Sequence, residues 1–316
     1  LEVVLPGPGP QGEGGSSPFH RLPPGLPGPL HAPAQNAPDR LGRDPRSDRD
    51  QTRAAAIRIP GQEDAPPAGV RSPDTRSLRH VARASQVLRR PFALAHTDDF
   101  LLERIPGAYA LSAKRSLPLP NIIDLEPIGR PRYRKPTVAF LGRLDPIKRP
   151  WVLAELAERL PHVDFLVMGA DYQPDQGGWR PESLPSNLHL LGHKGEAEKA
   201  EILSQSWLAA NTSVHEGLAI SLLEALRCET PLVASVDPGN VVSRFGRYVG
   251  DFPGTGMESV PAFLEAINEL IGDDDLRNQL GREGRDWVEA HHSRDAFLAG
   301  FEHLCGVLGV RWTKAP

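Results

Sequence analysis

From Thr137 onward the sequence predicts an α/β fold, a parallel sheet with helices on both faces. Three observations carry that prediction. Short continuous apolar runs recur, each is followed by a segment with helical apolar spacing, and the turns between them hold Gly, Pro and charged residues. Strands buried on both faces lose the polar alternation of a half-exposed sheet, and parallel strands need a crossover between them.

The elements follow in order. TVAFL (137–141) reads as a strand, GRLDPIKRP (142–150) as its turn and WVLAELAERL (151–160) as a helix. VDFLVMGA (163–170) and NLHLLG (187–192) read as the next strands, EAEKAEILSQSW (196–207) as a helix, LAANTS (208–213) as a strand, and a helix follows Glu216 before the strand PLVAS (231–235). The tail from Met257 to Val310 reads as two or three helices, with GDDDLRNQLGREGRDWVEAHH (272–292) strongly amphipathic. This alternation makes the region Rossmann-like.

The chain ahead of it differs. Residues 1–80 are rich in Pro and Gly, hold Phe19 as their only aromatic and show no period, so they are expected to be disordered. LPPGLPGPLHAP (22–33) could serve as a polyproline ligand, although a passive linker is the commoner use of such a composition. From Val81, VARASQVLRR reads as a short helix, PFALAHTDD (91–99) as a buried strand with a polar end, DFLLERI (99–105) as a helical turn or two, and LPLPNIIDL (117–125) as a connection.

Composition narrows the function classes. At 316 residues the chain fills one large or two ordinary domains. A net charge of −4 gives no electrostatic case for binding nucleic acid. Cys228 and Cys305 are the only cysteines, too few for a disulfide framework, and they read as packed thiols of a reducing cytosol. No apolar run approaches the ~18 residues of a membrane span, so a soluble cytoplasmic protein is expected.

Two motifs lie where strands of such a sheet end, the place where ligands bind in open α/β folds. GRLDPIK leaves its strand through Gly142 and offers Arg143 and Lys148 from one turn, a pair suited to a diphosphate or simply a solvated charged loop. There is no P-loop, and no GxGxxG fingerprint between a strand and a helix. HEGLAISLLEAL (215–226) places Glu216 and Glu224 with seven residues between them around a helix expected to begin near 219–221. Amides at a helix start can receive phosphate, Gly217 would allow close backbone approach, and carboxylates accept hydrogen bonds from vicinal hydroxyls. Equally, Glu216 could be an ordinary helix-start acid and Glu224 a solvated or salt-bridged one.

In combination and order, GRLDPIK and EGLAISLLEALRCETPLVAS (216–235) resemble the retaining GT-B glycosyltransferases of family 4, which carry a GRL…K loop and an E-x7-E segment in their second Rossmann domain. The resemblance covers about 81–310 and is sharpest over 137–235, and LPLPNIIDL is similar to the family's interdomain connection. It implies transfer of a sugar from a nucleoside diphosphate sugar to an acceptor hydroxyl with retention of configuration. Carried across by position, it implies that Arg143 and Lys148 hold the diphosphate, that Glu216, the catalytic residue, contacts and positions the transferred sugar and that Glu224 contacts the ribose. Backbone near Gly192 to Lys194, including His193, would lie by the base, with Gly142, Gly217 and Leu218 completing the donor site. No metal and no further cofactor are implied, since cations and a helix start stabilise the leaving phosphate. Asp273 to Asp275 therefore read as a helix start rather than a metal motif.

The departures are Leu218 and Ala219 in place of Phe-Gly, Ile122 in place of a Gly after Asn121, and Glu229 in place of the Gly of CGTP. The resemblance also implies a complete first domain for the acceptor, of which only final elements are expected here. The expected organisation is a disordered 1–80, a first-domain remnant with its linker at 81–130, and the nucleotide-sugar-binding domain at 131–316. Expected partners are a nucleotide sugar, a lipid, polysaccharide or small-molecule acceptor and a separate chain supplying the first domain, but no nucleic acid. The location would be cytoplasmic, including the inner membrane face. The alternative is a non-catalytic nucleotide-sugar-binding module, a relic or part of a split enzyme. Among lesser candidates, His96 and Asp98 lie at an expected strand end facing the cleft, His215 could touch a ligand, and Asp171 reads as a turn residue.

Overall fold

A computed structural model describes residues 73–109, 111–125, 131–170, 179, 181 and 183–312. The Pro/Gly-rich stretch up to Ser72 and the turn at Asp171 lie outside them. Helix α1 (Pro73–Val87) starts eight residues inside the segment expected to be disordered, with Pro73 at its first position, where a missing N–H costs nothing. Strand β1 (Leu94–His96) pairs in parallel with β2 (Ser116–Pro118), joined through a 3₁₀ turn at Asp99–Leu101 and helix α2 (Arg104–Tyr109). LPLPNIIDL thus opens within a strand rather than being connection throughout. His96 does not face a cleft, because it is buried with Nδ1 2.8 Å from Ser116 Oγ and Nε2 2.9 Å from Asp99 Oδ1.

The main sheet is built from β3 (Thr137–Leu141), β4 (Asp164–Met168), β5 (Leu188–Gly192), β6 (Leu208–Asn211), β7 (Leu232–Ala234) and β8 (Gly246–Tyr248). All pairs are parallel, in the order β5-β4-β3-β6-β7-β8. The chain therefore grows outward from β3 in one direction, returns, and grows outward in the other, so the strand order reverses between β3 and β6. Helices α3 (Pro150–Arg159) and α7 (Val260–Gly272) cover one face. Helices α4 (Glu196–Gln205), α5 (Ile220–Arg227), α6 (Val241–Arg244) and α8 (Asp274–His292) cover the other, and α9 (Arg294–Val307) follows α8.

Strand periodicity sorts the core. Val138, Phe140, Phe165 and Val167 pack with Leu153, Leu156, Phe263 and Ile267 on the α3/α7 side. Ala139, Leu166, Met168 and Leu232 pack with Leu203, Leu223, Leu226 and Val288 on the other. Each fully buried apolar side chain of this kind contributes about 1.5–3 kcal/mol, so both faces are heavily stabilised. The Cys228 thiol packs in the second cluster, and burial pushes its pKa up to about 11. Among the described residues no helix is long and apolar enough to cross a membrane.

The C-terminal helices reach back to the first elements. Ile123 N donates to His292 O at 2.8 Å, and His292 Nδ1 lies 3.2 Å from Asn121 O, with burial first lowering the His292 pKa. Asp273 begins α8 as a capping residue, its carboxylate accepting from Leu276 N at 2.9 Å, while Asp274 pairs with Arg277. This bears out the helix-start reading of that acidic run.

Glu229, standing where the resembled family has Gly, closes α5 in a left-handed conformation with φ of 53°. The Glu229 and Thr230 amides donate to Leu226 O and Ala225 O, a helix ending that favours Gly. Glu229→Gly is expected to stabilise the protein by about 1 kcal/mol in urea unfolding, because it removes left-handed strain without touching these backbone bonds.

Candidate functional site

The reversal of strand order between β3 and β6 opens a crevice at their carboxyl ends, and both motif loops leave the sheet there. Gly169, at the end of β4, has no room for a side chain: a Cβ would lie 1.8 Å from Gly142 O, and Gly142 N donates to Met168 O at 3.0 Å. The turn after β3 is therefore pressed against the end of β4 before it crosses toward β6.

Hydrogen bonds then sew the two motif loops together. Val214 N donates to Ile147 O at 2.8 Å, and Thr212 Oγ1 donates to Lys148 O at 2.6 Å. Lys148 Nζ pairs with Glu216 Oε1, the oxygen that also accepts from Ser213 Oγ at 2.7 Å. Ser213 is itself fixed, its amide donating to Asn211 Oδ1 at 2.9 Å and its carbonyl accepting from Ser235 Oγ at 2.9 Å. Two charged residues separated by 68 positions thus meet across the crevice, with side chains 13% and 14% exposed. Arg143, from the same turn as Lys148, stands half exposed with its Nε 3.0 Å from Asp145 Oδ2.

Helix α5 starts at Ile220 as expected, with Ala219 at the cap position offering no side-chain acceptor. Its amide end points to the loop holding Glu216, a suitable place for negative charge. Gly217 does not have positive φ and a Cβ there would meet nothing within 4 Å, so neither torsion nor protein packing requires a glycine. Leu218 is buried in the core, which leaves only its backbone to face a ligand. His193 is exposed in the turn after Gly192, whose φ is 71°.

Glu224 is not solvated. It is buried on α5, and Lys199 Nζ of α4 donates to its Oε1 at 2.5 Å while also lying 2.5 Å from Glu196 Oε1. Burial works to lower the Lys199 pKa, but its bonds to Glu196 and Glu224 outweigh it and raise the value. Arg227 continues the series, 3.8 Å from Glu196 and donating to Asp124 O at 2.7 Å.

A cleft of about 430 Å³ adjoins Glu216. It runs between Phe100 and Glu103 of the first elements, His215 of the loop after β6, Asp237 beyond β7, Tyr248 at the end of β8 and Asp251 after it. Asp237 is held by Val242 N and Ser243 N, so it shapes the wall as a cap of α6. Arg149, 1% exposed with φ of 49°, braces the far loop by donating from Nη2 to Phe252 O at 2.6 Å and Gly254 O at 2.9 Å. Sequence reasoning missed Ser213, Lys199, Arg149 and the loop after β7. Asp237-Pro238-Gly239 following the strand PLVAS was the available signal for the last of these.

The profile of a family described as "Glycosyl transferases group 1" matches residues 124–287. A D-inositol 3-phosphate glycosyltransferase of Mycolicibacterium gilvum is 33% identical over 195 residues, covering 57% of this chain and 40% of that one. The same-named protein of Gordonia bronchialis is 28% identical over 195 residues, covering 55% and 42%. The chain thus spans about two fifths of the length of these curated relatives. In fold it is similar to Anabaena Alr3699/HepE in complex with UDP-glucose, with TM-score 0.55, 16% identity and coverage of 73% and 77%. A Rickettsia africae glycosyltransferase gives TM-score 0.58 at 13% identity, with coverage of 75% and 68%.

Proposed function

Because the chain belongs to the glycosyl transferases group 1 family, we propose that it moves a sugar from a nucleoside diphosphate sugar to an acceptor hydroxyl with retention of configuration. The observation that carries this reading is the Lys148–Glu216 contact at the reversal of strand order. It gathers a diphosphate-binding cation and a hydroxyl-accepting acid beside the start of α5.

In this reading Arg143 and Lys148 receive the diphosphate, Glu216 takes a sugar hydroxyl, Glu224 takes the ribose, and the turn at His193 lies by the base. Backbone at Gly142, Gly217 and Leu218 completes the donor site. The bond from the anomeric carbon to the diphosphate oxygen breaks as the acceptor oxygen bonds that carbon, and the acceptor proton passes to the departing diphosphate. Cationic side chains and a helix start stabilise the leaving charge without a bound metal or further cofactor.

The acceptor lies in the cleft beside Glu216. Among the described residues lining it, Glu103, Glu216, Asp237 and Asp251 are acidic and none is Lys or Arg, which favours a hydroxyl-rich neutral acceptor over a phosphorylated one. A further domain, on this or another chain, completes acceptor binding, and residues 81–130 are the last part of it. The reaction belongs to the cytoplasm, including the inner membrane face where the acceptor is a lipid. The intact charged pair gives the purely non-catalytic reading no separate support.

Thermal unfolding with UDP, GDP, ADP and their sugar conjugates tests the donor site. A nucleotide at 100 times its Kd adds about 2.7 kcal/mol of stability. Stabilisation by one nucleotide series is expected, abolished in Arg143→Ala and weakened in Glu224→Ala. Absence of any shift on the folded chain would defeat the donor-site assignment. Proton NMR of the product from an α-linked donor then decides retention against inversion.

A further inference from the structure

Lys199 stands at the join between the two parts of the proposed nucleoside site. It lies in the first turn of α4, which begins directly after the turn holding His193, and it reaches across to Glu224 on α5. Its side chain is 15% exposed and that of Glu224 is 6% exposed, so neither is a free surface charge. An ammonium carries three N–H donors. Among the described residues two of them are accounted for, by Glu224 Oε1 and Glu196 Oε1. On Glu224, Lys199 occupies Oε1, and Oε2 remains to accept.

We propose that Lys199 is a second ribose-recognition residue, whose third N–H donates to one hydroxyl of the nucleoside's vicinal diol while Glu224 Oε2 accepts from the other. This inference rests on the donor-site reading above. A diol read by one donor and one acceptor of opposite charge is held in a single orientation. The arrangement also keeps Glu224 paired with a cation while it is buried, and Glu196 with Arg227 extends the alternation of charge to Asp124 O.

The test measures Kd for UDP, GDP and ADP and for the 2′-deoxy and 3′-deoxy form of each, on the wild-type chain, Lys199→Met and Lys199→Arg. In the wild type each deoxy form should bind about ten-fold or more weakly than its parent, because each hydroxyl has its own charged partner. In Lys199→Met the parent should weaken by about ten-fold, and one deoxy form should then bind as well as the parent while the other stays disfavoured. Lys199→Arg should keep both discriminations. A Met variant that binds weakly with both discriminations unchanged would overturn the proposal and leave Lys199 a structural partner of Glu224. A wild type that tolerates either deoxy form would overturn it without recourse to any variant. If the wild type binds none of the three nucleotides, the donor-site reading falls and takes this inference with it.

Discussion

Lys148→Ala is expected to lower kcat for sugar transfer by about 100- to 1000-fold, with a much smaller change in KM for the donor. In the proposed reaction the leaving diphosphate gains charge as the glycosidic bond breaks, so a cation held in place beforehand acts most strongly in the transition state. The fold holds Lys148 in just this way. Its carbonyl is tied to Thr212, the preceding carbonyl is tied to Val214, and its ammonium is directed at Glu216. Lys148→Arg should recover only part of the rate, because a planar fork cannot replace a compact charge in a turn where the Lys148 stem runs so close to Gly142 that a Cβ there would lie 3.5 Å from its Cδ. Steady-state kinetics of both variants checks this. Loss of rate with KM raised in proportion and kcat unchanged would count against a transition-state role.

Arg132→Ala should produce the largest loss of stability, about 3 kcal/mol, and lower the thermal midpoint by about 6–12 °C. Arg132 precedes β3, and its guanidinium reaches the ends of two helices. Nη1 donates to Ser204 O at 2.9 Å, Ser206 O at 2.6 Å and Thr230 Oγ1 at 3.0 Å, and Nη2 donates to Glu229 O. Truncation would strip three carbonyls at the ends of α4 and α5 of a charged donor in a region where water has little access. Burial lowers the Arg132 pKa despite the pull of Glu229, in keeping with a cation held by neutral carbonyls. Arg132→Lys should restore less than half of the loss, since an ammonium cannot reach four acceptors in a fork. Differential scanning calorimetry of the three proteins would separate this clamp from a generic surface arginine, whose removal leaves the midpoint almost unchanged.

What could be read from the sequence follows from how locally each feature is encoded. Strands β3, β4 and β6 are continuous apolar runs because both of their faces are covered, and a run of that kind identifies itself. Helix α5 and the offset of Glu216 from Lys148 were legible because motif residues at strand ends have few places to go in a parallel sheet. β8, by contrast, is Gly-Arg-Tyr at a sheet edge and has no apolar period to detect. Lys199 is one charge among several in a polar helix, and nothing local announces that a neighbouring helix brings a buried acid to it. Arg149 was hidden for the same reason: its burial depends on a loop more than 100 residues further on. Gly217 failed in the opposite direction, its supposed conformational demand being absent from the backbone.

The pairing of β3 with β6, Val138 opposite Leu208, has a consequence for how binding competence arises. Loop closure over a separation of that size is slow and comes only with cooperative formation of the sheet. Lys148 and Glu216 sit in the loops that follow these two strands, so neither half of the chain alone brings this pair together. Ligand capture should therefore switch on in one kinetic phase together with the central sheet, and a nucleotide present during refolding would select chains that have completed it.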